Sequence, residues 1–199
     1  MSQRNLFLFL ALLSLGSVMA AAQADGQAKT AVCVACHGAD GNSMNPIWPN
    51  LAGQHEEYIV AQLKAFKSGA RANPSMSPMA ATVADEDMAT IGAWYRSQTL
   101  KIAPLGEVDV SKGEALYRGG DAERGIPACM ACHGPTGAGN GAARFPALSG
   151  QHAEYTALQL KAYRDGSRST DPQEMMRTIA KRLGDDDIEQ LSRYISALH

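Results

Sequence analysis

The stretch CVACH at residues 33–37 returns as CMACH at residues 129–133, and the two copies use all four cysteines of the 199-residue chain. The pattern Cys-x-x-Cys-His is typical of covalent haem attachment, in which both thiols form thioethers with the haem vinyl groups. The adjacent histidine then becomes the proximal ligand of the iron. The predicted haem-binding residues are therefore Cys33, Cys36 and His37 in one copy, and Cys129, Cys132 and His133 in the other.

Other uses of paired cysteines explain this pattern less well. Two Cys-x-x-Cys pairs could supply four thiolates to one zinc ion, but the pairs lie 96 residues apart and both histidines would be unexplained. A thioredoxin-like redox motif needs a βαβ context, and neither pair is surrounded by the alternation of strands. A disulfide framework is typical of short, loop-rich chains with scattered cysteines, which this chain is not.

The N-terminus predicts export. Arg4 is followed by an apolar run of about 15 residues and then by small residues, which offer cleavage sites at Ala20, Ala22 or Ala24. The run is shorter than the roughly 20 residues of a membrane-spanning helix. We therefore expect residues 1–24 to be a signal peptide that is cleaved on export to the periplasm. Export agrees with the haem prediction, since c-type haem is joined to proteins outside the cytoplasm.

The charge of the chain is small. The formal net charge is −2, and it becomes −3 when Arg4 is removed with the signal peptide. Neither half has a basic patch, so we expect no nucleic acid among the partners. A peripheral association with the membrane stays open at this point.

The chain is an internal repeat. GQHEEYIVAQLKAFKSGAR at 53–71 and GQHAEYTALQLKAYRDGSR at 150–168 are identical at 11 of 19 positions. The offset between the copies grows only from 96 at the cysteines to 100 at the last helix, although residues 118–127 add a glycine-rich loop. Pro104 and Gly106 mark residues 101–110 as a linker. We predict one domain at 25–100 and a second at 111–199.

Each repeat is predicted to contain about three helices and no strand. The first helix leads into the Cys-x-x-Cys-His pattern, over 27–35 in one copy and 112–117 in the other. The second has apolar residues at helical spacing and ends near Gly69 or Gly166. The third begins at acidic triplets, residues 85–87 and 185–187, which suit the positive end of a helix. Because each domain is small, we expect the haem to complete its core.

A sixth iron ligand is expected in each repeat, and in an electron carrier this is normally a methionine. Counting back nine residues from Asp85 and from Asp185 reaches Met76 and Met176, in loops ahead of the last helices. A lone methionine is usually core filler, but two at matched positions indicate more than that. The alternatives are Met79 in the first repeat and Met175 in the second; Met44 has no counterpart.

Two prolines are candidates for orienting the haem histidines. Pro49 follows His37 by 12 residues and Pro146 follows His133 by 13 residues. A metal-bound histidine usually donates its other ring N–H to a nearby acceptor. We predict the two proline carbonyls as these acceptors, with a purely loop-shaping role as the alternative. The remaining histidines are expected at the surface or at helix starts: His55, His152 and His199.

These motifs resemble those of the cytochrome c4 family, which are exported dihaem cytochromes of class I. The resemblance runs from residue 25 to the C-terminus and includes paired Pro-x-Leu-x-Gly-Gln segments at 49–54 and 146–151. It implies an all-α fold of two tandem class I cytochrome c domains, each of about three helices around a covalently bound haem c. The implied axial ligand pairs are His37/Met76 and His133/Met176.

The resemblance also implies a periplasmic carrier rather than an enzyme. Such a carrier passes single electrons from a quinol-oxidising complex to a terminal oxidase. Two alternatives remain. One is a tightly bound dihaem subunit of a dehydrogenase, such as a flavocytochrome. The other is a dihaem peroxidase, which would need one iron with a vacant or displaceable ligand.

Overall fold

The computed structural model describes residues 23–106 and 108–199. Within these ranges there is no strand, and the only β-type pairings are isolated bridges from Asp121 to Ile126 and from Asn140 to Phe145. The predicted signal peptide at 1–24 lies outside the described residues except for its last two positions. In the described ranges no helix is long and apolar enough to cross a membrane.

The first half of the chain folds around its own hydrophobic core. A helical segment at 23–29 comes first, followed by the 3-10 turn Ala31–Cys33 and then by α1 (Val34–His37), α2 (Glu56–Lys67), α3 (Met76–Ala81) and α4 (Asp87–Arg96). Helix α2 packs against both α3 and α4. The buried core consists of Ile59, Leu63, Phe66, Ala80, Val83, Met88, Ile91 and Tyr95.

The second half repeats this arrangement around a separate core. Its helices are α5 (Ser111–Gly119), α6 (Met130–His133), α7 (Ala153–Asp165), α8 (Met175–Ala180) and α9 (Asp185–Ala197). Helix α9 packs against α5 and α7, and α7 packs against α8. The buried core consists of Leu116, Tyr117, Ile126, Leu183, Ile188, Leu191, Tyr194, Ile195 and Leu198. Residues 99–106 and 108–110, between the two cores, contain no helix or strand.

The longer helices are found where the sequence predicts them. Helices α2 and α7 are followed by Gly69 and Gly166, whose φ angles of 78° and 83° end the helical path. The predicted continuous helix at 27–35 is wrong, because the chain turns at Thr30. The Thr30 hydroxyl donates to the carbonyl of Gln27 at 2.9 Å, a local bond that competes with the helical pattern.

A glycine lets the first and last helices of the second half touch. A Cβ atom at Gly113 of α5 would collide with the carbonyl oxygen of Gln190 in α9. Gly26 lies in the corresponding place in the first half, where a Cβ atom would lie 2.9 Å from Cβ of Trp94. These contacts fix the segment ahead of each Cys-x-x-Cys-His motif against the last helix of its own repeat.

Candidate functional site

The two Cys-x-x-Cys-His motifs form the short helices α1 and α6, each about one turn long. Cys33 packs against the first core and Cys129 against the second. Cys36 and Cys132 are exposed, and all four thiols are free. Because the two pairs belong to different cores, they do not form a single four-thiolate zinc site.

The first cysteine of each motif, Cys33 or Cys129, lies in surroundings that favour the neutral thiol. Burial raises the pKa of Cys33, and it raises the pKa of Cys129 to about 11. The thiolate is the form that binds metals and attacks disulfides. Cys33 and Cys129 therefore lack the lowered pKa that makes the attacking cysteine of a thioredoxin-like redox motif reactive.

The histidines of the two motifs are buried, and each makes the predicted hydrogen bond. His37 is 5% exposed and His133 is 8% exposed. Nδ1 of His37 lies 2.9 Å from the carbonyl oxygen of Pro49, and Nδ1 of His133 lies 3.0 Å from that of Pro146. The predicted contacts with the proline carbonyls are confirmed. Because a carbonyl oxygen only accepts, Nδ1 carries the proton and Nε2 carries the lone pair in both rings.

Both imidazoles are suited to bind iron. Burial lowers the pKa of His37 and of His133, and the hydrogen bonds to the prolines oppose this shift only in part. In the part of the chain that the structure describes, neither Nε2 atom has a hydrogen-bond partner. A neutral ring with a fixed tautomer is the form that ligates metals. Two free thiols and one such nitrogen per repeat fit a covalently attached haem.

A glycine after each histidine allows the chain to turn back toward the ring. Gly38 and Gly134 end α1 and α6 with φ angles of 78° and 79°. Residues with a side chain rarely adopt such angles. The loop that follows then brings Pro49 or Pro146 against the histidine.

The two candidate methionines lie on short helices, and the prediction that they lie in loops is wrong. Met76 is the first residue of α3 and Met176 is the second residue of α8. The fully buried Ala80 and Ala180 show the same offset of 100 residues, which supports the pairing of Met76 with Met176. Each helix has only six residues, too few to show a helical period in the sequence.

Burial distinguishes the alternative methionines in the first repeat but not in the second. Met76 is half-buried and packs against the first core, whereas Met79 is 40% exposed. Met175 and Met176 are both half-buried. Met44 is 98% exposed, in keeping with its lack of a counterpart. Burial therefore favours Met76 over Met79 and leaves Met175 as an alternative to Met176.

Comparison with known proteins accounts for both repeats. The family model for cytochrome c matches twice, over residues 23–99 and 110–199. Cytochrome c4 from Thiocapsa roseopersicina is 49% identical over 87% of this chain and 91% of its own length. The chain belongs to the cytochrome c4 family.

A solved structure and a further relative support this membership. The crystal structure of reduced recombinant cytochrome c4 from Pseudomonas stutzeri matches this cytochrome with a TM-score of 0.83 at 44% identity, covering 87% of this chain and 97% of that one. A relative named thiosulfate dehydrogenase electron acceptor, from Stutzerimonas stutzeri, is 41% identical over 82% of this chain and 77% of its own length.

The family confirms the main predictions from the sequence. The fold is all-α, with two class I cytochrome c domains that imply two covalent haem c groups. The cytochrome is an electron carrier with redox protein partners, and it is not an enzyme.

The cytochrome also has two buried glutamines that the sequence did not single out. Gln54 and Gln151 are 6% and 8% exposed, and each bridges to the other domain. Gln151 accepts from the backbone N–H of Asn50 at 2.9 Å and donates to the carbonyl of Asn50 at 2.9 Å. Gln54 makes the same pair of bonds with the backbone of Ala147, at 2.9 Å and 3.0 Å. The sequence shows the repeated Gly-Gln pair. It does not show that each glutamine binds a backbone segment about 100 residues away in the chain.

Two histidines outside the motifs also join the domains. His55 and His152 immediately precede α2 and α7, which confirms the predicted place at helix starts. Nε2 of His55 lies 2.8 Å from the carbonyl of Ala138, and Nε2 of His152 lies 3.0 Å from the carbonyl of Ser43. Each contact crosses from one domain to the other, so these rings serve the interface.

Two arginines complete the interface. Arg168 donates to the hydroxyl of Tyr58 at 2.8 Å and to the side-chain oxygen of Gln62 at 3.1 Å. Arg71 makes the matching contacts with a tyrosine and a glutamine of the second domain, at 3.2 Å and 2.6 Å. Each cross-domain contact of this set has a counterpart made by the equivalent side chain of the other domain, as in a contact about a two-fold axis.

Proposed function

We propose that each domain would hold a haem through two cysteine thioethers, one histidine and one methionine. The proposed residues are Cys33, Cys36, His37 and Met76 in the domain at 25–100, and Cys129, Cys132, His133 and Met176 in the domain at 111–199. The observation that carries this assignment is the repeated neutral histidine with a bonded Nδ1 and an uncommitted Nε2. When bound, each haem supplies a one-electron Fe(III)/Fe(II) couple.

The side chains of the protein limit the chemistry to electron transfer. A haem held by the imidazole of His37 or His133 and by the side-chain sulfur of Met76 or Met176 would have no ligand position left for oxygen or peroxide. This ligand pair supports a carrier over a dihaem peroxidase. The sulfur of methionine also raises the reduction potential, which suits a protein that receives electrons from quinol oxidation.

We further propose that the cytochrome works in the periplasm after removal of residues 1–24. Its donor is a quinol-oxidising complex and its acceptor is a terminal oxidase. The apolar N-terminal run with small residues behind it supports export. Encounters between redox proteins typically bury less than about 1,200 Å², which lets a carrier leave each partner quickly. Peripheral association with the membrane is compatible with both partners.

A second candidate function is that of a dedicated acceptor or tightly bound subunit of a dehydrogenase. The relatives named thiosulfate dehydrogenase electron acceptor support it. Purification of the native protein at low and at high salt distinguishes the two functions. A dehydrogenase that stays bound at a fixed ratio supports the subunit, and a bound flavin would identify a flavocytochrome. A free cytochrome that membranes reduce with quinol supports the carrier.

Replacement of one methionine at a time tests the proposed methionine ligands. Met76→Ala should abolish the methionine–iron charge-transfer band of one oxidised haem and lower its potential, because sulfur favours the reduced iron. Met79→Ala is the control and should preserve both. Met176→Ala and its control Met175→Ala repeat the comparison in the second domain. Visible spectra with redox titration give the result, and loss of the band in Met175→Ala alone would refute the assignment of Met176.

A further inference from the structure

The glutamines that cross the domain interface contact the peptide groups that hold the haem histidines. The carbonyl of the Pro49–Asn50 peptide accepts from Nδ1 of His37 at 2.9 Å. The N–H of this same peptide donates to Oε1 of Gln151 at 2.9 Å. One peptide group therefore connects the proximal histidine of the first domain to a side chain of the second.

The second domain contains the same chain of bonds in the opposite direction. The carbonyl of the Pro146–Ala147 peptide accepts from Nδ1 of His133 at 3.0 Å. The N–H of that peptide donates to Oε1 of Gln54, from the first domain, at 2.9 Å. Each domain thus supplies the glutamine that completes the hydrogen-bond chain of the other.

A bond on one end of a peptide group strengthens the bond on its other end. The peptide is a conjugated, planar unit, so an acceptor on its N–H increases the negative charge on its carbonyl oxygen. Chains of hydrogen bonds polarise one another, by about 10–30% per bond, and the effect is larger in a low dielectric. His37, His133 and both glutamines are at most 8% exposed, so water does not screen these bonds.

We propose that Gln54 and Gln151 are positioning residues that set the reduction potential of the haem in the opposite domain. This inference rests on the proposed ligand role of His37 and His133. The glutamine makes the proline carbonyl a stronger acceptor, and the histidine ring becomes a more basic ligand. A more basic ligand stabilises the oxidised iron, so each glutamine lowers the potential across the interface.

The test is Gln151→Leu in the full-length protein with both haems. The equilibrium constant for reduction of the first-domain haem should rise at least threefold, which for one electron is about 28 mV. The second-domain haem should change less. Gln54→Leu should give the reverse, with the larger change in the second domain. Redox titration followed by NMR, with hyperfine-shifted haem signals assigned to each domain, measures both values.

A spectroscopic readout accompanies the potentials. The Nδ1 proton of His37 should move upfield in Gln151→Leu, because its hydrogen bond to Pro49 weakens. Gln159→Leu is the matched interface control, since it removes contacts with Arg71 and Arg168 and leaves both peptide groups intact. It should change neither equilibrium constant for reduction by as much as threefold, which means neither potential by as much as about 28 mV. Gln151→Asn, which keeps the amide but falls one methylene short, replaces the leucine variant if that variant does not fold.

Three results would overturn the proposal in a variant that keeps two low-spin haems. These are unchanged potentials, equal changes at both haems, or a change confined to the domain that carries the substitution. Failure of the ligand assignment looks different, because the charge-transfer band would then persist in Met76→Ala or in Met176→Ala, in proteins that carry no glutamine substitution.

Discussion

At the scale of single residues, Asp187 illustrates how a buried charge is stabilised near the start of α9. Its carboxylate accepts from Arg124 at 2.6 Å, from the backbone N–H of Gly184 at 2.9 Å, and lies 3.2 Å from the ammonium of Lys112. The hydrogen bond from Arg124, helped by these other donors, lowers the pKa of Asp187 to about 2. The ionised form is therefore much more stable in the folded protein than in the unfolded chain.

Asp187→Asn should reduce the free energy of unfolding of the second domain by about 2 kcal/mol at pH 7. The pKa in the folded protein lies below the ordinary value of 3.8, so this contribution is present above pH 4 and is lost as the pH falls toward about 2. Denaturant unfolding at several pH values measures it. Asp186→Asn, at an exposed neighbour, is the control and should cost little. A difference between Asp187→Asn and wild type that persists at pH 2 would contradict the expectation.

The contacts of some single residues could be predicted from the sequence motifs, and those of others could not. The contacts of His37 and His133 with the carbonyls of Pro49 and Pro146 follow from short-range spacing and from what a ligating imidazole needs. The contact of Arg124 with Asp187 joins residues 63 apart in the sequence, and it arises only because the inserted loop at 118–127 folds back on α9. Spacing along the chain gives no sign of such a contact.

At the scale of elements, the approach of α5 to α9 depends on Gly113. Gly113→Ala would place a methyl group against the carbonyl of Gln190, and the helices must separate to accommodate it. We expect a loss of about 1–3 kcal/mol in the free energy of unfolding, as for other overpacked contacts.

A glycine of the same helix provides the control for this experiment. A Cβ atom at Gly119 would contact nothing within 4 Å, so Gly119→Ala should leave stability unchanged or raise it by up to about 1 kcal/mol. Thermal unfolding of the two variants gives the comparison. Equal stability of Gly113→Ala and Gly119→Ala would show that the contact with Gln190 is not tight in solution.

The predictability of an element depended on its length. Helices α2, α4, α7 and α9 have between 10 and 13 residues, enough for an apolar stripe to repeat. Helices α3 and α8 show no such repeat and are defined by their fully buried alanines, Ala80 and Ala180. The break at Thr30 was missed for another reason, since no glycine or proline marks a turn at this place in the sequence.

At the scale of the whole molecule, the interface should open as one unit. Tyr58→Phe removes the hydroxyl that accepts from Arg168 across the domains. A hydrogen bond to a charged group contributes about 1.5–3 kcal/mol, and 1.4 kcal/mol is a factor of about ten in an equilibrium constant. Amide hydrogen exchange at Asn50 and Ala147 should therefore accelerate at least tenfold, and by the same factor at both.

Tyr163→Phe is the matched control for the interface. The hydroxyl of Tyr163 makes no hydrogen bond within the described chain, so its removal should leave both exchange rates unchanged. Acceleration at only one of the two amides in Tyr58→Phe would mean that the interface opens in parts.

The interface itself could not be predicted from the sequence. The repeat showed that both domains carry a Gly-Gln pair, and the resemblance used it as a family mark. Nothing in a linear pattern states which surface of one copy faces the other. The amide of Gln54 finds its partner 93 residues away, and that of Gln151 finds its partner 101 residues away.

The reciprocal contacts give the two domains of this chain an interface of the kind found between the identical subunits of a homodimer. In a dimer of identical subunits, one gene change alters both halves, and symmetry keeps them equal. A covalent connection holds the halves together at any dilution and lets them diverge. Asn50 binds Gly150 and Ser43 through its side chain, at 3.1 Å and 2.9 Å, whereas its counterpart Ala147 has no polar side chain to do so. The two domains of a fused chain can thus differ at matched positions, which the subunits of an exact dimer cannot.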